Sequence, residues 1–250
     1  MRGSILLYEK VMRLDKFLAD AGLGTRSEVK KLLKKNKITV NDVIICDGNY
    51  KVTTSDVIKF EDNILVTEEF EYYIFHKPSG CVTANSDNLH KTVFDYIPNN
   101  RKNDLFAVGR LDIDTEGLLI ITNDGELAHN LLSPKKNVKK TYYAKVKGMV
   151  TEDMKYAFLK GIDIGDDKPT LPAELVILES GETSICKVTV QEGRFHEVKR
   201  LFLAFDCKVL YLKRISMGEF ILDEELKCGE YRKFTEEELE IVNKYKSSFV

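Results

Sequence analysis

The sequence predicts an α+β fold in two parts. A small N-terminal module precedes a larger catalytic-sized domain on a mixed, mainly antiparallel sheet with flanking helices. Three observations lead there. Short strand-like runs outnumber helical stretches and do not alternate with them, which argues against βαβ units. Capping residues mark the starts of several short helices. An acidic stretch, residues 61–71, separates a lysine-rich beginning from the rest and reads as a linker. With 250 residues, 43% of them hydrophobic, the chain can bury the cores of a small and a medium domain. The expected division is a flexible extension over 1–11, a first module over 12–60, the linker over 61–71, a main domain over 72–242 and a tail over 243–250.

Residues 1–11 carry no periodicity. From Leu14, the apolar positions Leu14, Phe17, Leu18 and Ala21 fall on one helical face, and Gly22 and Gly24 end it. Thr25-Arg-Ser-Glu28 fits a capping box, so a second helix follows, burying Val29, Leu32 and Leu33 and leaving Lys30, Lys31, Lys34, Lys35 and Lys37 outside. Residues 38–40, 43–45 and 57–60 read as short strands, with Asn41-Asp42 turning between the first two. Residues 72–75 form an apolar strand ending in His76-Lys-Pro-Ser-Gly80, where Pro78 removes a donor and Gly80 allows a positive φ. His76 is read as a packing residue.

Residues 92–97 predict a short helix closed by Pro98 and the polar loop 99–104, and 105–108 a buried strand. Residues 118–121, Leu-Leu-Ile-Ile, form another strand, and 126–132 a helix that stops before Ser133-Pro134. The strand over 141–146 must point Tyr142 and Tyr143 to opposite faces. A helix over 151–160 lies between Thr151 and Gly161 as caps, with strands expected at 162–165, 173–178 and 183–190. The turn from Gln191 launches an amphipathic helix carrying Lys199. A strand over 209–215 and a terminal helix from Thr235 to about Val242 close the chain.

Composition narrows the function. The net charge of −2 argues weakly against nucleic acid, because phosphate binding relies on lysine and arginine displacing counterions. The sum hides an asymmetry: basic residues crowd 26–37, while 61–71 and 219–240 are acid-rich. The five cysteines are odd in number, widely spaced and without a Cys-x-x-Cys pair, so neither a disulfide framework nor a zinc site is indicated and a reducing, cytoplasmic setting is expected. The apolar patch near the N-terminus is too short for a signal-peptide core, and no run would span a membrane. Walker, Gly-x-Ser-x-Gly and metal-spaced His/Cys patterns do not occur, so no metal and no cofactor are expected.

What remains is an acid–base set on structured segments. Gly109-Arg-Leu-Asp-Ile-Asp-Thr-Glu-Gly-Leu118 packs an arginine and three carboxylates into a loop held by apolar runs on both sides, where catalytic groups tend to be placed. Asp112 lies in that loop beside Arg110, Tyr142 on a strand and Lys199 at a helix start.

The N-terminal residues Arg13-Leu-Asp-Lys-Phe-Leu, Thr25-Arg-Ser-Glu, Lys37-Ile-Thr-Val-Asn and Asp56-Val-Ile-Lys-Phe resemble the S4-type RNA-binding module. The rest resembles the pseudouridine synthases of the RsuA/RluB type, which carry such a module in front. The motifs are Lys77-Pro-Ser-Gly, the Gly109 segment, Lys140-Thr-Tyr, Glu192-Gly-Arg-Phe-His-Glu-Val-Lys-Arg and Gly229-Glu-Tyr-Arg, five in the expected order. The resemblance covers the chain from Met12 to about Val242. It implies that Asp112 is the catalytic aspartate, that Tyr142 stacks on the target uracil and that Lys199 pairs with the aspartate, supplying the opposite charge that favours an ionised carboxylate. It further implies that Arg110 fills the space of the flipped base, that Lys140 and Arg194 help bind substrate, and that Arg13, Arg26, Lys30, Lys31 and Lys34 lie on the RNA backbone. Asp114 and Glu116 are assigned to the turn and to solvated charge. Three departures stand out: Glu197 where glutamine is common, Glu116 where threonine or another small residue is common, and Cys81 where an aromatic is frequent.

The implied activity is isomerisation of one uridine to pseudouridine in 16S rRNA, on the RNA or a small-subunit assembly intermediate, by a cytoplasmic monomer. A 23S rRNA enzyme of the same family is the nearest alternative. A non-catalytic RNA-binding assembly factor and a free-standing hydrolase using Asp112 are the others.

Overall fold

The computed structural model describes residues 11–53, 55–65, 70–97 and 105–247. The chain divides into two compact units, Met1–Glu69 and Phe70–Val250.

In the first unit β1 (Met12–Arg13) leads into α1 (Leu14–Asp20), and α2 (Arg26–Leu33) starts at Thr25, whose hydroxyl accepts from the Glu28 amide while Glu28 reaches back. β2 (Ile38–Val40), β3 (Val43–Ile44), β5 (Ile58–Phe60) and β6 (Asn63–Ile64) form one small sheet, and β4 (Lys51–Val52) pairs with β1. Leu14, Leu18, Val29, Leu33, Ile38 and Ile58 make its core. Asn41 and Asp42 both take positive φ, as the two-residue turn requires. The expected linker is corrected at its start: Glu61 and Asp62 repeat that positive-φ geometry and β6 pairs back onto β5, so residues 61–65 complete the first unit.

The second unit is built on nine strands: β7 (Tyr72–Lys77), β8 (Phe106–Ala107), β9 (Glu116–Thr122), β10 (Lys140–Lys147), β11 (Glu174–Glu179), β12 (Thr183–Val190), β13 (Lys208–Met217), β14 (Phe220–Ile221) and β15 (Tyr231–Lys233). Their order is β11-β12-β10-β13-β9-β7-β15, with β14 on β13 and β8 on β9. All these pairings are antiparallel except β13 with β9. β9 is buried on both faces: Leu118 and Ile120 pack with α3 (Gly125–Leu132) and α6 (Glu236–Ser247), Leu119 and Ile121 with Phe75, Val93, Phe94 and Ile97. That double burial is why the strand reads as an unbroken apolar run. α4 (Glu152–Lys160) and α5 (Glu197–Leu203) cover the other half of the sheet through Met154, Phe158, Val198, Leu201 and Phe202.

Three local expectations fail. Residues 92–97 hold only a 3-10 turn, Val93–Asp95, with a capping box between Thr92 and Asp95 at its start; Pro98 and residues 99–104 lie outside the described residues. Residues 162–165 are not a strand: Gly161 takes φ +82°, and the Ile162 amide bonds the Thr170 hydroxyl, so Ile162 anchors a loop. The terminal helix runs past Val242 to Ser247, held by Tyr245 stacked on Phe220 and by Lys246 paired with Asp124, so 243–247 is packed helix and not tail. Among the described residues no helix is long and apolar enough to cross a membrane.

Candidate active site

The loop between β8 and β9 presents Asp112, and its shape is dictated by the segment after β7. Lys77 is fully buried, and its ammonium donates to three carbonyl oxygens, those of Pro78, Asp112 and Thr115, each at 3.0 Å. The Gly80 amide donates to the Ile113 carbonyl at 2.7 Å from a residue at φ +85°. Thr83 accepts from the Leu111 amide at 3.1 Å and donates to its carbonyl at 2.9 Å. Lys-Pro-Ser-Gly is therefore the frame of the acidic loop. Burial holds the Lys77 ammonium below the usual lysine range, while three acceptors satisfy its three donors.

Gly117 fixes the other end. At φ +110° a Cβ there would lie 2.2 Å from the Arg214 carbonyl oxygen, so only glycine lets β9 lie parallel against β13. That pairing sets Arg214 opposite Gly117, and the pairing of β13 with β10 sets it opposite Tyr142; Arg214 is buried and donates from Nε to the Leu118 carbonyl at 2.8 Å.

α5 completes the site. Lys199 donates to Asp112 Oδ2 at 3.0 Å and to Asp114 Oδ1 at 2.6 Å. Burial alone would lower the Lys199 ammonium, but the two carboxylates outweigh it and hold it above the usual range. Burial likewise opposes ionisation of Asp114, and the Lys199 bond overrides it, leaving that carboxyl below its usual range. Asp114 thus belongs to the ion-pair network, a more specific place than a solvated turn. Burial pushes the Tyr142 phenol up, which keeps it neutral; the nearby Arg214 charge only partly offsets this.

Arg110, Asp112, Thr115, Tyr142, Arg194, His196, Glu197 and Lys199 line one cleft. The sequence-predicted trio Asp112, Tyr142 and Lys199 is therefore brought together, with Arg110 exposed at its edge. Arg194 is on the wall, its guanidinium bound to the carbonyls of Lys168 and Pro169 and to Glu192. Lys140 is not among the residues lining the cleft: it is buried, and its ammonium donates to the Val138 carbonyl at 2.9 Å. Sequence reasoning assigned no role to Lys77, Thr83 or His196. His196 takes φ +50° at the start of α5, stacks on Phe195 and puts Nε2 3.6 Å from Asp112 Oδ1. Two signals were available, the lysine of Lys-Pro-Ser-Gly inside an apolar strand and the histidine one helical turn before Arg200.

Glu197 is buried beneath this cleft and accepts from the Arg194 amide at 3.1 Å. Burial raises its carboxyl from 4.5 to about 7. Between those values the folded chain keeps a proton that the unfolded chain has lost, so stability falls as pH rises from about 4.5 through about 7. At about 1.4 kcal/mol per pH unit the loss amounts to about 3 kcal/mol. Glu197→Gln should remove it: urea midpoints of the variant should stay flat from pH 5 to 8 and exceed wild type at pH 8. An unchanged slope would mean another group sets it.

In the first unit Lys30 and Lys31 on α2 and Lys34 just past its end are exposed, and Arg13, Lys30 and Lys34 border one surface hollow with Asp15 and Asp47. Arg13 spends its guanidinium on a two-pronged bond to the buried Asp15, at 3.0 and 2.5 Å. The Arg26 side chain lies outside the described residues.

Comparison with known proteins agrees with this geometry. Residues 71–204 match the RNA pseudouridylate synthase family and residues 12–58 the S4 domain. The chain is 38% identical over 231 residues to ribosomal small subunit pseudouridine synthase A of Haemophilus influenzae, covering 92% of this chain and 98% of that protein. It is 40% identical over 237 residues to the uncharacterized RNA pseudouridine synthase YtzG of Bacillus subtilis, covering 93% and 98%. A solved pseudouridylate synthase crystal structure superposes with a TM-score of 0.67 at 38% identity, covering 92% of this chain and 99% of that one. With the acid loop, tyrosine strand and lysine helix converging on one cleft, and an S4 domain preceding them in the sequence, this chain belongs to the RNA pseudouridylate synthase family.

Proposed function

We propose that this pseudouridine synthase isomerises one uridine of 16S rRNA, with Asp112 as its reacting group. The observation that carries the substrate is the 38% identity, over more than nine-tenths of both chains, to enzymes named for the ribosomal small subunit. The ion-paired Asp112 supports the chemistry. The N1–C1′ bond breaks, the uracil turns, C5 bonds to C1′, and the C5 proton is lost while N1 gains one, with no redox change. An aspartate serves either as nucleophile at the sugar or as the base that opens a glycal route. Extruding the base costs roughly a few kcal/mol, and stacking on a neutral Tyr142 offsets part of it. Arg110 is the residue we assign to the vacated space, a reading its exposure at the cleft edge supports. We take it to act as a monomer. The rRNA substrate supports a cytoplasmic setting.

The test is incubation of purified protein with 16S and 23S rRNA, followed by carbodiimide mapping. One new stop in 16S rRNA and none in 23S is expected. A stop only in 23S would replace the substrate, and none in either would overturn the reading.

For the S4 module, Lys30→Ala/Lys31→Ala/Lys34→Ala should weaken RNA binding and reduce its salt dependence by about two to three ions, with the rate on saturating RNA unchanged. A salt-insensitive defect would show that these lysines do not lie on phosphate.

A further inference from the structure

Behind the cleft, three residues far apart in the chain converge. His76 ends β7, Glu116 begins β9, and Cys228 lies in the turn before β15; their ligand atoms all lie within 4.8 Å of one another. His76 is only 7% exposed. Its Nδ1 lies 2.7 Å from the Leu226 carbonyl, which can only accept, so Nδ1 carries the hydrogen. Nε2 is then a bare lone pair, and it is buried without a hydrogen-bond partner. Leaving such an acceptor unmatched in a buried place is costly.

The arrangement around it is that of a ligand set. Metal-binding histidines usually donate their second ring N–H to a carbonyl, which fixes the tautomer. Glu116 is steadied in the same manner, its Oε2 accepting from the Tyr211 hydroxyl at 2.7 Å. Cys228 is exposed, with its sulfur 4.0 Å from the Lys77 carbonyl, and gives an ion a way in.

We propose that His76, Glu116 and Cys228 form a binding site for a divalent transition-metal ion, with Zn²⁺ the best match to an imidazole, carboxylate and thiolate set. Tetrahedral bonds of about 2.0–2.3 Å would hold the ligands roughly 3.3–3.8 Å apart, so the trio closes by about 1 Å on binding, with water in the fourth position. Binding displaces the thiol proton to solvent. The ion joins the end of β7, the start of β9 and the 226–229 turn. Its neighbour His76 adjoins Lys77, the residue that frames the acidic loop, so the site braces that loop and takes no part in the isomerisation. Glu116, a departure from the family pattern, finds a use here.

The test is titration of the full-length protein with Co²⁺, which reports thiolate ligation and tetrahedral geometry by absorption, followed by displacement with Zn²⁺. One equivalent should give a thiolate charge-transfer band, and Zn²⁺ should raise the melting temperature. Cys228→Ser, at an exposed position, should abolish the band and the thermal shift. His76→Asn should bind at least tenfold more weakly, and Cys46→Ser, at the other exposed cysteine, should bind as wild type does. No band at one equivalent, or binding undiminished in Cys228→Ser, would overturn the proposal.

Discussion

Asp112→Asn is expected to lower pseudouridine formation by at least about 10³-fold, within the range contributed by a positioned acid–base group, while leaving folding and RNA affinity intact. Asparagine keeps the shape of the side chain and can still accept at the oxygen that faces Lys199. What it loses is the charge and the nucleophilic or basic oxygen. The network tolerates the change, because Lys199 keeps its 2.6 Å partner Asp114. Single-turnover product formation on saturating RNA, alongside gel-shift affinity and thermal melting, separates these effects. Wild-type turnover by the variant would remove Asp112 from the chemistry.

Lys77→Met should destabilise the protein by about 3 kcal/mol and cost a further tenfold or more in turnover of the folded fraction. Methionine fills a similar volume but donates nothing, so the carbonyls of Pro78, Asp112 and Thr115 each lose a charged donor, that of Thr115 in a buried place, while Asp112 keeps the Thr115 amide. Hydrogen bonds to a charged group contribute about 1.5–3 kcal/mol each. The net falls well short of three such bonds, since removing the ammonium also relieves its desolvation. Turnover suffers because the peptide of Asp112 is held by one bond fewer, that of the Thr115 amide remaining, and a displacement of about 1 Å can cost about 10²-fold. Urea denaturation and turnover per folded molecule measure the two effects. A variant as stable as wild type would show that the loop holds its shape without the lysine.

Much of this was legible in the residues themselves. Thr25 and Glu28 announced α2, and the apolar run at 118–121 announced a strand that must be buried. The motif order identified Asp112, Tyr142 and Lys199 as candidates. The same local reading misjudged Ile162, whose amide is held by the Thr170 hydroxyl in a loop. A residue's type says what it can bond, and its neighbours in the chain say little about what it will face.

Caps, turns and periodicity are decided by groups within a few residues of one another, so the sequence by itself determined the helices, most strands and the two-part α+β plan. Tertiary structure alone decided which side chains meet. Asp112 and Lys199 are separated by 86 intervening residues, and the 3.0 Å bond between them forms where the loop before β9 meets α5, with Gly117 admitting the parallel pairing of β9 with β13. The meeting of His76, Glu116 and Cys228 has the same origin, for strand register brings together residues that no spacing along the chain could reveal.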